Sequence, residues 1–320
     1  MKTAIITGIT GQDGAYLSKL LLDKEYRVVG FVRPDAEESL FGLKYLDILD
    51  DVILERCSLL DEKKMDKLFE KYQPVEIYNL AAQSSVGYSF EKPKETIEFN
   101  ILSVLNILES IRRVDKRIKY YQASSSDMFG NISELPVTEK SIIHPTSPYG
   151  ISKVAGHWLA INHRESYGMY ACCGILFNHE SYLRGNNFFV KKVIRTAINI
   201  KNGTENDLRV GEIDLRRDFG YAPDYVEAMW LMLQQKTPGE FIICSGESIS
   251  LREIINYVFD KLKIDRSLIK VDKSLFRPND IQNIYGDNSE AKKILGWKYD
   301  KTFFDVLDIL VEEQQTSGGI

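Results

Sequence analysis

Two side chains near the middle of the chain are spaced for acid–base chemistry. Tyr149 and Lys153 form a Tyr-x-x-x-Lys pattern in a segment predicted to be helical from about Pro148 to Tyr167, and this spacing puts both on one helix face. A phenol has a pKa near ~10 and is a poor base at neutral pH, but a neighbouring ammonium stabilises the phenolate and lowers that pKa. Tyr149 could then take the proton of a hydroxyl group as hydride leaves its carbon.

A second group of polar residues follows the predicted strand IKYYQAS (118–124) in the run QASSSDMFG. A hydroxyl there, such as that of Ser125, can hydrogen-bond a reacting oxygen. Asp127 adds a carboxylate, which a simple dehydrogenase or epimerase does not need but the elimination of water does. The alternatives are a polar turn for the serines and a helix cap for Asp127.

A glycine motif opens the chain. Gly8, Gly11 and Gly14 follow the predicted strand TAIIT (3–7) and precede a helix predicted from Ala15 to Asp23. Such glycines let the backbone turn tightly against a pyrophosphate, and the helix N-terminus adds a partial positive charge. The motif therefore predicts a bound dinucleotide, and an oxidised nicotinamide beside Tyr149 would further stabilise its phenolate. The alternative is an ordinary glycine turn.

The end of the second predicted strand, RVVGFV (27–32), indicates which dinucleotide is bound. NAD-preferring sites usually carry an acidic residue about 20 residues after the glycines, on the ribose hydroxyls. Here the strand ends in Arg33, followed by Pro34 and Asp35. Because a guanidinium suits a 2′-phosphate, we predict NADP, with NAD as the alternative. Arg33 could also be a solvated surface residue.

Alternating strands and helices position these groups. Further strands are predicted at 52–55, 75–80 and 171–176, and further helices near 61–72, 96–113, 187–201, 222–235, 250–262 and 302–314. The pattern predicts an α/β fold with a Rossmann-type doubly wound parallel sheet. We assign the dinucleotide-binding domain to residues 1–176 with a return near 215–245, a smaller mixed α/β substrate domain to 177–214 and 246–315, and a loose tail to 316–320.

Composition narrows the class of protein. The chain has 320 residues and a net charge of −5, which argues weakly against a nucleic-acid surface, and no segment resembles a membrane span or a secretory signal. Its four cysteines form no Cys-x-x-Cys pair and no metal-ligand spacing with the four histidines. We expect reduced thiols, no bound metal, no nucleic-acid or membrane partner, and a cytoplasmic location.

Several segments together resemble the extended short-chain dehydrogenase/reductases, and in particular the GDP-mannose 4,6-dehydratase family. The resemblance extends over nearly the whole chain, and GQDGAYL and ILFNHES are specific to that branch. The matching segments are TGITGQDGAYL, YNLAAQSSVGYSF, YQASSSDMFG, SPYGISK, ESYGMYACCGILFNHES, RRDFGYAPDYVEAMW, RPNDI and AKKILGWK.

The resemblance implies a role for each matching position. Ser125 stands where the family has its active-site threonine and Asp127 where it has its glutamate base, while Tyr149 and Lys153 match directly. The implied cofactor contacts are Gly8, Thr10, Gly11, Gln12, Asp13, Gly14, Arg33, Leu80, Ala81, Ala82, Tyr149, Lys153, Leu176, Asn178 and His179. The implied substrate contacts are Ser84, Ser126, Asn178, Asn187, Lys192, Arg217 and Arg277. For the two arginines, a surface salt bridge is the alternative.

The chain departs from the family at positions that bear on the sugar. Ser125 and Asp127 are each smaller than the family's residue, and Tyr182-Leu183 replace a Pro-Arg pair. The resemblance implies a GDP-hexose substrate, with GDP-mannose as the default, GDP-N-acetylglucosamine as the favoured alternative and a GDP-heptose as a third. The loop after Arg33 also differs from the family's basic loop, which bears on assembly.

Three functions compete at this point. The first is a 4,6-dehydratase that gives a 4-keto-6-deoxy sugar. The second is a nucleotide-sugar epimerase or reductase, for which Asp127 would be superfluous. The third is a silent NADP sensor, and the presence of Tyr149, Lys153 and Asp127 together argues against it. The resemblance also implies a homo-oligomer, dimer or tetramer, paired through the helix of Tyr149 and the helix near 96–113.

Overall fold

The computed structural model describes residues 1–34 and 39–317. A seven-stranded sheet forms its centre, in the order β10-β6-β5-β4-β1-β2-β3, and every neighbouring pair is parallel. Its strands are β1 (Thr3–Thr7), β2 (Arg27–Val32), β3 (Ile53–Arg56), β4 (Glu76–Asn79), β5 (Lys119–Ser125), β6 (Ala171–Leu176) and β10 (Glu240–Ile243). The predicted doubly wound parallel sheet is therefore confirmed.

Smaller sheets lie beside this one. The strand β9 (Arg216–Tyr221) pairs with three others, and two short strands pair with each other. The remaining strands are β7 (Asn178–Glu180), β8 (Leu208–Val210), β11 (Ser248–Ser250), β12 (Ile269–Val271) and β13 (Asn283–Ile284). Since β9 belongs to a smaller sheet, β10 is the strand of the predicted return near 215–245 that pairs with the large one. The domain boundaries themselves stay a prediction.

Helices cover both faces of the large sheet. They are α1 (Gln12–Asp23), α2 (Phe41–Tyr45), α3 (Glu62–Tyr72), α4 (Val86–Glu91), α5 (Pro93–Val114), α6 (Pro148–Tyr167), α7 (Phe189–Lys201), α8 (Ala222–Gln234), α9 (Leu251–Leu262) and α10 (Phe303–Ser317). Because α10 continues to Ser317, the prediction of a loose tail from Thr316 is wrong for its first two residues. Residues 318–320 lie outside the described part of the chain.

Successive side chains of a strand point to opposite faces of the sheet, so each face of the large sheet carries its own apolar layer. In β1, Ala4 and Ile6 pack with α1 and α8, whereas Ile5 packs on the opposite face with α3, α5 and α6. A third apolar cluster joins α7, α9 and α10 to β8 and β9. The order of the large sheet reverses between β1 and β4, and ligands of doubly wound sheets bind at that switch point, beyond the carboxyl ends of the strands.

Candidate active site

Local signals fix the start of α6, the helix that carries Tyr149 and Lys153. The Ser147 side chain accepts a hydrogen bond from the Gly150 backbone N–H at 3.0 Å, and Pro148 occupies the first turn. Tyr149 and Lys153 therefore stand one turn apart at the helix N-terminus, and both are buried.

A glycine brings this helix against the end of β5. A Cβ on Gly150 would lie 2.7 Å from the Asp127 carbonyl oxygen, so a larger residue would push the helix away. Ser126–Met128 form a short 3-10 turn, and Ser125 caps it by accepting from the Asp127 N–H at 3.2 Å. The proposed alternative for Asp127 is thus wrong, because Ser125 is the cap. The Asp127 carboxylate instead accepts from the Ser125 hydroxyl at 3.2 Å.

In the protein alone, the pKa of the Tyr149 phenol differs from the expectation. Burial and the Asp127 carboxylate both raise the pKa of Tyr149. The Lys153 Nζ donates to the Ala123 carbonyl at 2.9 Å and lies 5.7 Å from the centre of the Tyr149 ring. In the protein alone the pKa of the phenol is thus raised, and its lowering by Lys153 together with an oxidised nicotinamide stays a prediction. Burial also lowers the pKa of Lys153 to about 8.

Burial raises the pKa of Asp127 as well, although Arg217 and Arg277 act in the opposite direction. A carboxylate with a raised pKa holds a proton more readily near neutral pH, which suits a group that must take up a proton and return it. The structure thus places a carboxyl group with a raised pKa, that of Asp127, beside the Ser125 hydroxyl and the Tyr149 phenol.

The glycine turn after β1 fits a dinucleotide. A Cβ on Gly14 would lie 2.3 Å from the Gly8 carbonyl oxygen, so only glycine lets α1 begin this close to the strand. Gly11 caps the helix with no side-chain hydrogen bond, which leaves the helix N-terminus to a ligand. These residues would hold the pyrophosphate of the dinucleotide.

Asp13 puts a negative charge next to this turn, and His179 offsets it. The His179 Nε2 lies 3.0 Å from both Asp13 carboxylate oxygens. Burial raises the pKa of Asp13, but the interactions with His179, Arg184 and Gln12 together outweigh it and lower that pKa to about 2. Gln12 donates to the His179 carbonyl at 3.1 Å, so the glycine turn and β7 are tied together at this point.

A single large cavity of about 1300 Å³ joins these groups. Pockets for one small ligand usually enclose roughly 300–1,000 Å³, so this one has room for two. Of the residues predicted as site residues, those that line it are Gly8, Thr10, Gly11, Gln12, Asp13, Gly14, Arg33, Leu80, Ala81, Ala82, Ser84, Ser125, Ser126, Asp127, Tyr149, Lys153, Leu176, Asn178, His179, Asn187, Arg217 and Arg277. Their individual contacts to a ligand stay predictions.

Lys192 is the exception among the predicted site residues. It does not line the cavity, and its Nζ donates to the Arg209 carbonyl, 2.6 Å away. The residue lies in α7, whose N-terminus borders the cavity at Phe188 and Phe189. The side chain of Lys192 leaves that border for the neighbouring strand β8, so we correct this prediction.

Both predicted phosphate-binding arginines share a carboxylate inside the cavity. Arg217 donates to Asp280 at 2.8 Å, and Arg277 lies 3.6 Å from the same oxygen. A salt bridge therefore exists, as the alternative held, but it forms in the cavity wall and Arg217 is largely buried. Asp280 keeps the two guanidinium groups together where a second anion could reach them.

The cavity also contains charged residues that sequence reasoning missed. Glu180 is 3 % exposed, burial raises its pKa, and its Oε2 lies 3.7 Å from the Arg184 Nε. Asp280 is another charged residue of the cavity wall that the sequence analysis missed. Glu180 and Asp280 lie inside segments that carry the family resemblance, NHES and RPNDI, and Arg184 lies in the run YLRG, where the chain departs from the family. The sequence positions of the three residues give no sign that they share one cavity.

At the other end of the cavity lies Arg33, directly after β2. A second arginine, which the sequence analysis missed, supports the turn there. The Arg56 Nη1 donates to the Pro34 carbonyl at 2.9 Å and to the Arg33 carbonyl at 3.4 Å. Asp35, which follows in the sequence, lies outside the described residues.

Two further searches cover the described ranges 1–34 and 39–317. No group of three or more histidine, cysteine, aspartate or glutamate side chains in them is arranged to hold a metal ion. None of their helices is long and apolar enough to cross a bilayer. All four cysteines are buried free thiols, and Cys172 and Cys173 lie in β6, as predicted.

The fold and site place the chain in the class of short-chain dehydrogenases/reductases. The defining features are a Rossmann-type sheet with a glycine turn, a Tyr-x-x-x-Lys helix and a hydroxyl at the end of β5. The family model for GDP-mannose 4,6 dehydratase matches residues 5–310. GDP-mannose 4,6 dehydratase 1 from Arabidopsis thaliana is 41% identical over 323 residues, with 98% of this chain and 89% of the relative covered. The chain belongs to the GDP-mannose 4,6-dehydratase family.

Solved structures show the same fold at lower identity. The dTDP-glucose 4,6-dehydratase from Bacillus anthracis, in complex with NAD, aligns with a TM-score of 0.87 at 16% identity, covering 100% of this chain and 98% of that one. RMD from Pseudomonas aeruginosa, complexed with NADPH, aligns with a TM-score of 0.83 at 24% identity, covering 99% and 100%. At these identities, the two neighbours show that the chain shares their fold.

Proposed function

We propose that this chain is an NADP-dependent GDP-sugar 4,6-dehydratase, a hydro-lyase that converts a GDP-hexose to the GDP-4-keto-6-deoxyhexose. The observation that carries this is the carboxylate of Asp127 within 3.2 Å of the Ser125 hydroxyl, beside Tyr149. Oxidation at C4 needs only the hydroxyl and the phenol. The carboxylate adds the base that removal of a C5 proton requires, which favours a dehydratase over an epimerase or reductase.

The residues act in sequence on the sugar. A bound nicotinamide dinucleotide would supply the hydride acceptor that oxidation at C4 requires and the hydride donor that reduction at C6 requires. Tyr149, assisted by Ser125 and the charge of Lys153, takes the proton of the C4 hydroxyl. The C5 proton then lies α to a ketone, and Asp127 removes it. The C6 hydroxyl leaves as water with the proton that Asp127 holds.

The substrate is proposed to be GDP-mannose, with GDP-N-acetylglucosamine as the alternative and a GDP-heptose as a third candidate. The family and the relatives named above support the guanine nucleotide. The test is incubation with GDP-, UDP- and dTDP-hexoses while the loss of one water is followed by mass. A UDP- or dTDP-hexose turned over far faster than every GDP-sugar would refute the assignment. A net change in nicotinamide absorbance over complete turnover would instead indicate a reductase or dehydrogenase.

The cofactor is proposed to be NADP, and Arg33 is the residue that supports it. We expect Arg33→Ala to weaken NADP binding by about tenfold or more and NAD binding much less, because only NADP carries the 2′-phosphate that a guanidinium would bind. The dissociation constants of both dinucleotides can be measured by calorimetry. Arg117→Ala is the matched control, because that side chain is 91% exposed and lies outside the cavity. Equal affinity of the unmodified protein for NAD and NADP would contradict the assignment.

The protein is proposed to form a homo-oligomer through α5 and α6, which pack side by side. Leu102, Ile151 and Trp158 on these helices are 44%, 48% and 53% exposed, and apolar surface of this kind often marks an interface. We expect light scattering at micromolar concentration to give the mass of a dimer or tetramer, and Trp158→Glu to shift it toward the monomer. A monomeric unmodified protein would contradict this.

The cytoplasmic location also stays a prediction.

A further inference from the structure

One end of the cavity is available to the nucleoside of the substrate. In the proposed reaction the hexose lies at Asp127 and Tyr149, and its diphosphate lies at Arg217 and Arg277. The nucleoside then continues past the arginines, away from the sugar. The residues that line the cavity on that side are Phe189, Gly211, Glu212, Leu215, Leu251 and Leu275.

Two chain segments meet closely at this end of the cavity. The strand β12, which precedes Leu275, pairs with β8, which precedes Gly211. A Cβ on Gly211 would lie 2.9 Å from the Leu275 carbonyl oxygen, so the two segments are in direct contact. Because Arg277 is two residues beyond Leu275, their Cα atoms are at most roughly 8 Å apart. The wall that contains Glu212 is therefore within reach of a nucleoside whose phosphates bind at Arg277.

This wall has the composition that a nucleobase requires. Phe189, Leu251 and Leu275 offer apolar surface to the faces of an aromatic ring. Glu212 offers hydrogen-bond acceptors to its edge. The Glu212 Oε1 accepts from the Asp214 backbone N–H at 3.0 Å, which orients the carboxylate. Since an ionised carboxylate has about four acceptor sites, both oxygens can still accept hydrogen bonds from a ligand.

The Glu212 carboxylate forms no ion pair with a basic side chain in the described part of the chain. The nearby Arg252 is engaged by Asp214, at 2.7 and 2.9 Å. Two other acids of the cavity wall, Asp13 and Asp280, each contact a basic side chain at 3.0 Å or less. Glu212 is therefore a charged acceptor whose hydrogen-bonding capacity the protein leaves largely unused.

Guanine is the base whose edge matches a carboxylate. Its N1–H and its N2 amino group are adjacent donors, and the two oxygens of one carboxylate can accept from both. Uracil and thymine carry one N–H between two carbonyl oxygens, which would face the negative charge. We propose, on the basis of the dehydratase function, that Glu212 selects guanine nucleotides by accepting hydrogen bonds from N1–H and the N2 amino group.

The test compares the binding of GDP, inosine diphosphate and UDP to the dinucleotide-saturated enzyme by calorimetry. Inosine diphosphate differs from GDP only in lacking the N2 amino group, so native enzyme should bind it about tenfold or more weakly, the usual loss of a hydrogen bond to a charged group. Glu212→Gln presents a donor in place of one acceptor. In this variant GDP affinity should fall by about tenfold or more, and UDP affinity should change by less than about threefold.

Asp214→Asn is the matched control. It removes a negative charge two residues from Glu212, on a side chain that is 68% exposed and lies outside the cavity. We expect this variant to keep the native preference for GDP over the other two nucleotides. With a GDP-hexose that native enzyme dehydrates, Glu212→Gln should raise KM while kcat stays within about threefold, because the base is held equally in the ground and transition states.

The outcomes separate this inference from the proposed function. If native enzyme dehydrates no GDP-hexose, the proposed function fails, while the three nucleotide affinities still test Glu212. Equal affinity of native enzyme for GDP and inosine diphosphate would overturn the role of Glu212. So would a Glu212→Gln variant that keeps the native preference, or one that weakens all three nucleotides equally, since the residue would then only support the turn after β8.

Discussion

Replacement of Tyr149 by phenylalanine is expected to suppress C4 oxidation by about 10²–10⁴-fold, the usual contribution of a general base. The phenol is buried and lines the same cavity as Ser125 and Asp127 at the carboxyl end of β5, and phenylalanine keeps its shape while removing the oxygen. In a single turnover, absorbance of reduced nicotinamide should not rise, and no ketone should form. Affinities for the dinucleotide and for the GDP-sugar should stay within about threefold, because the substitution removes a transition-state interaction.

Tyr167→Phe is the matched control for this substitution. Tyr167 is the last residue of the same helix, α6, and its side chain is 43% exposed and lies outside the cavity. We expect this variant to keep the native rate of C4 oxidation. If Tyr149→Phe still oxidised C4 at nearly the native rate, another group would have to be the base.

The pH dependence of C4 oxidation should reflect the environment of this phenol. Burial and Asp127 raise its pKa in the protein alone, so the phenolate needs positive charge, which Lys153 and an oxidised nicotinamide can supply together. Burial holds the pKa of Lys153 at about 8, and its ammonium is therefore lost as the pH rises through that value. The spacing of Tyr149 and Lys153 does not reveal the burial that raises the pKa of the phenol in the protein alone.

Local signals account for the parts of the fold that the sequence predicted well. The helix α6 begins and ends where expected, because Ser147, Pro148 and a left-handed Gly168 mark its termini in the sequence itself. The strand β6 matches the run ACCGIL because it is apolar and central. The glycine turn was predictable for a similar reason, since a strand, a glycine motif and a helix follow one another directly.

Contacts between distant segments account for the parts that sequence could not predict. The pair of His179 and Asp13 joins residues 166 positions apart, and Asp280 reaches Arg217 across 63. The direction of the Lys192 side chain depends on the strand β8 beside it, which its own helix does not reveal. The family resemblance could place these residues in one site only by analogy.

Asp127→Asn is expected to preserve C4 oxidation and to block elimination, with a loss of about 10²–10⁴-fold in product formation. The amide has nearly the size of the carboxylate but cannot accept the C5 proton. In a single turnover, absorbance of reduced nicotinamide should rise and then persist. The quenched sugar should be lighter than the substrate by two hydrogens only, and in D₂O it should carry no deuterium at C5.

Asp127→Glu provides the complementary control. It restores the longer carboxylate that the resemblance associates with this position, and the base is retained, so elimination should continue and the reduced nicotinamide should again be consumed. The amide and the longer acid share the position beside Ser125 but differ in the ability to take up a proton. A near-normal yield of 4-keto-6-deoxy sugar from Asp127→Asn would therefore mean that another residue is the base, and Glu180, the buried carboxyl in the same cavity, would be the first to replace.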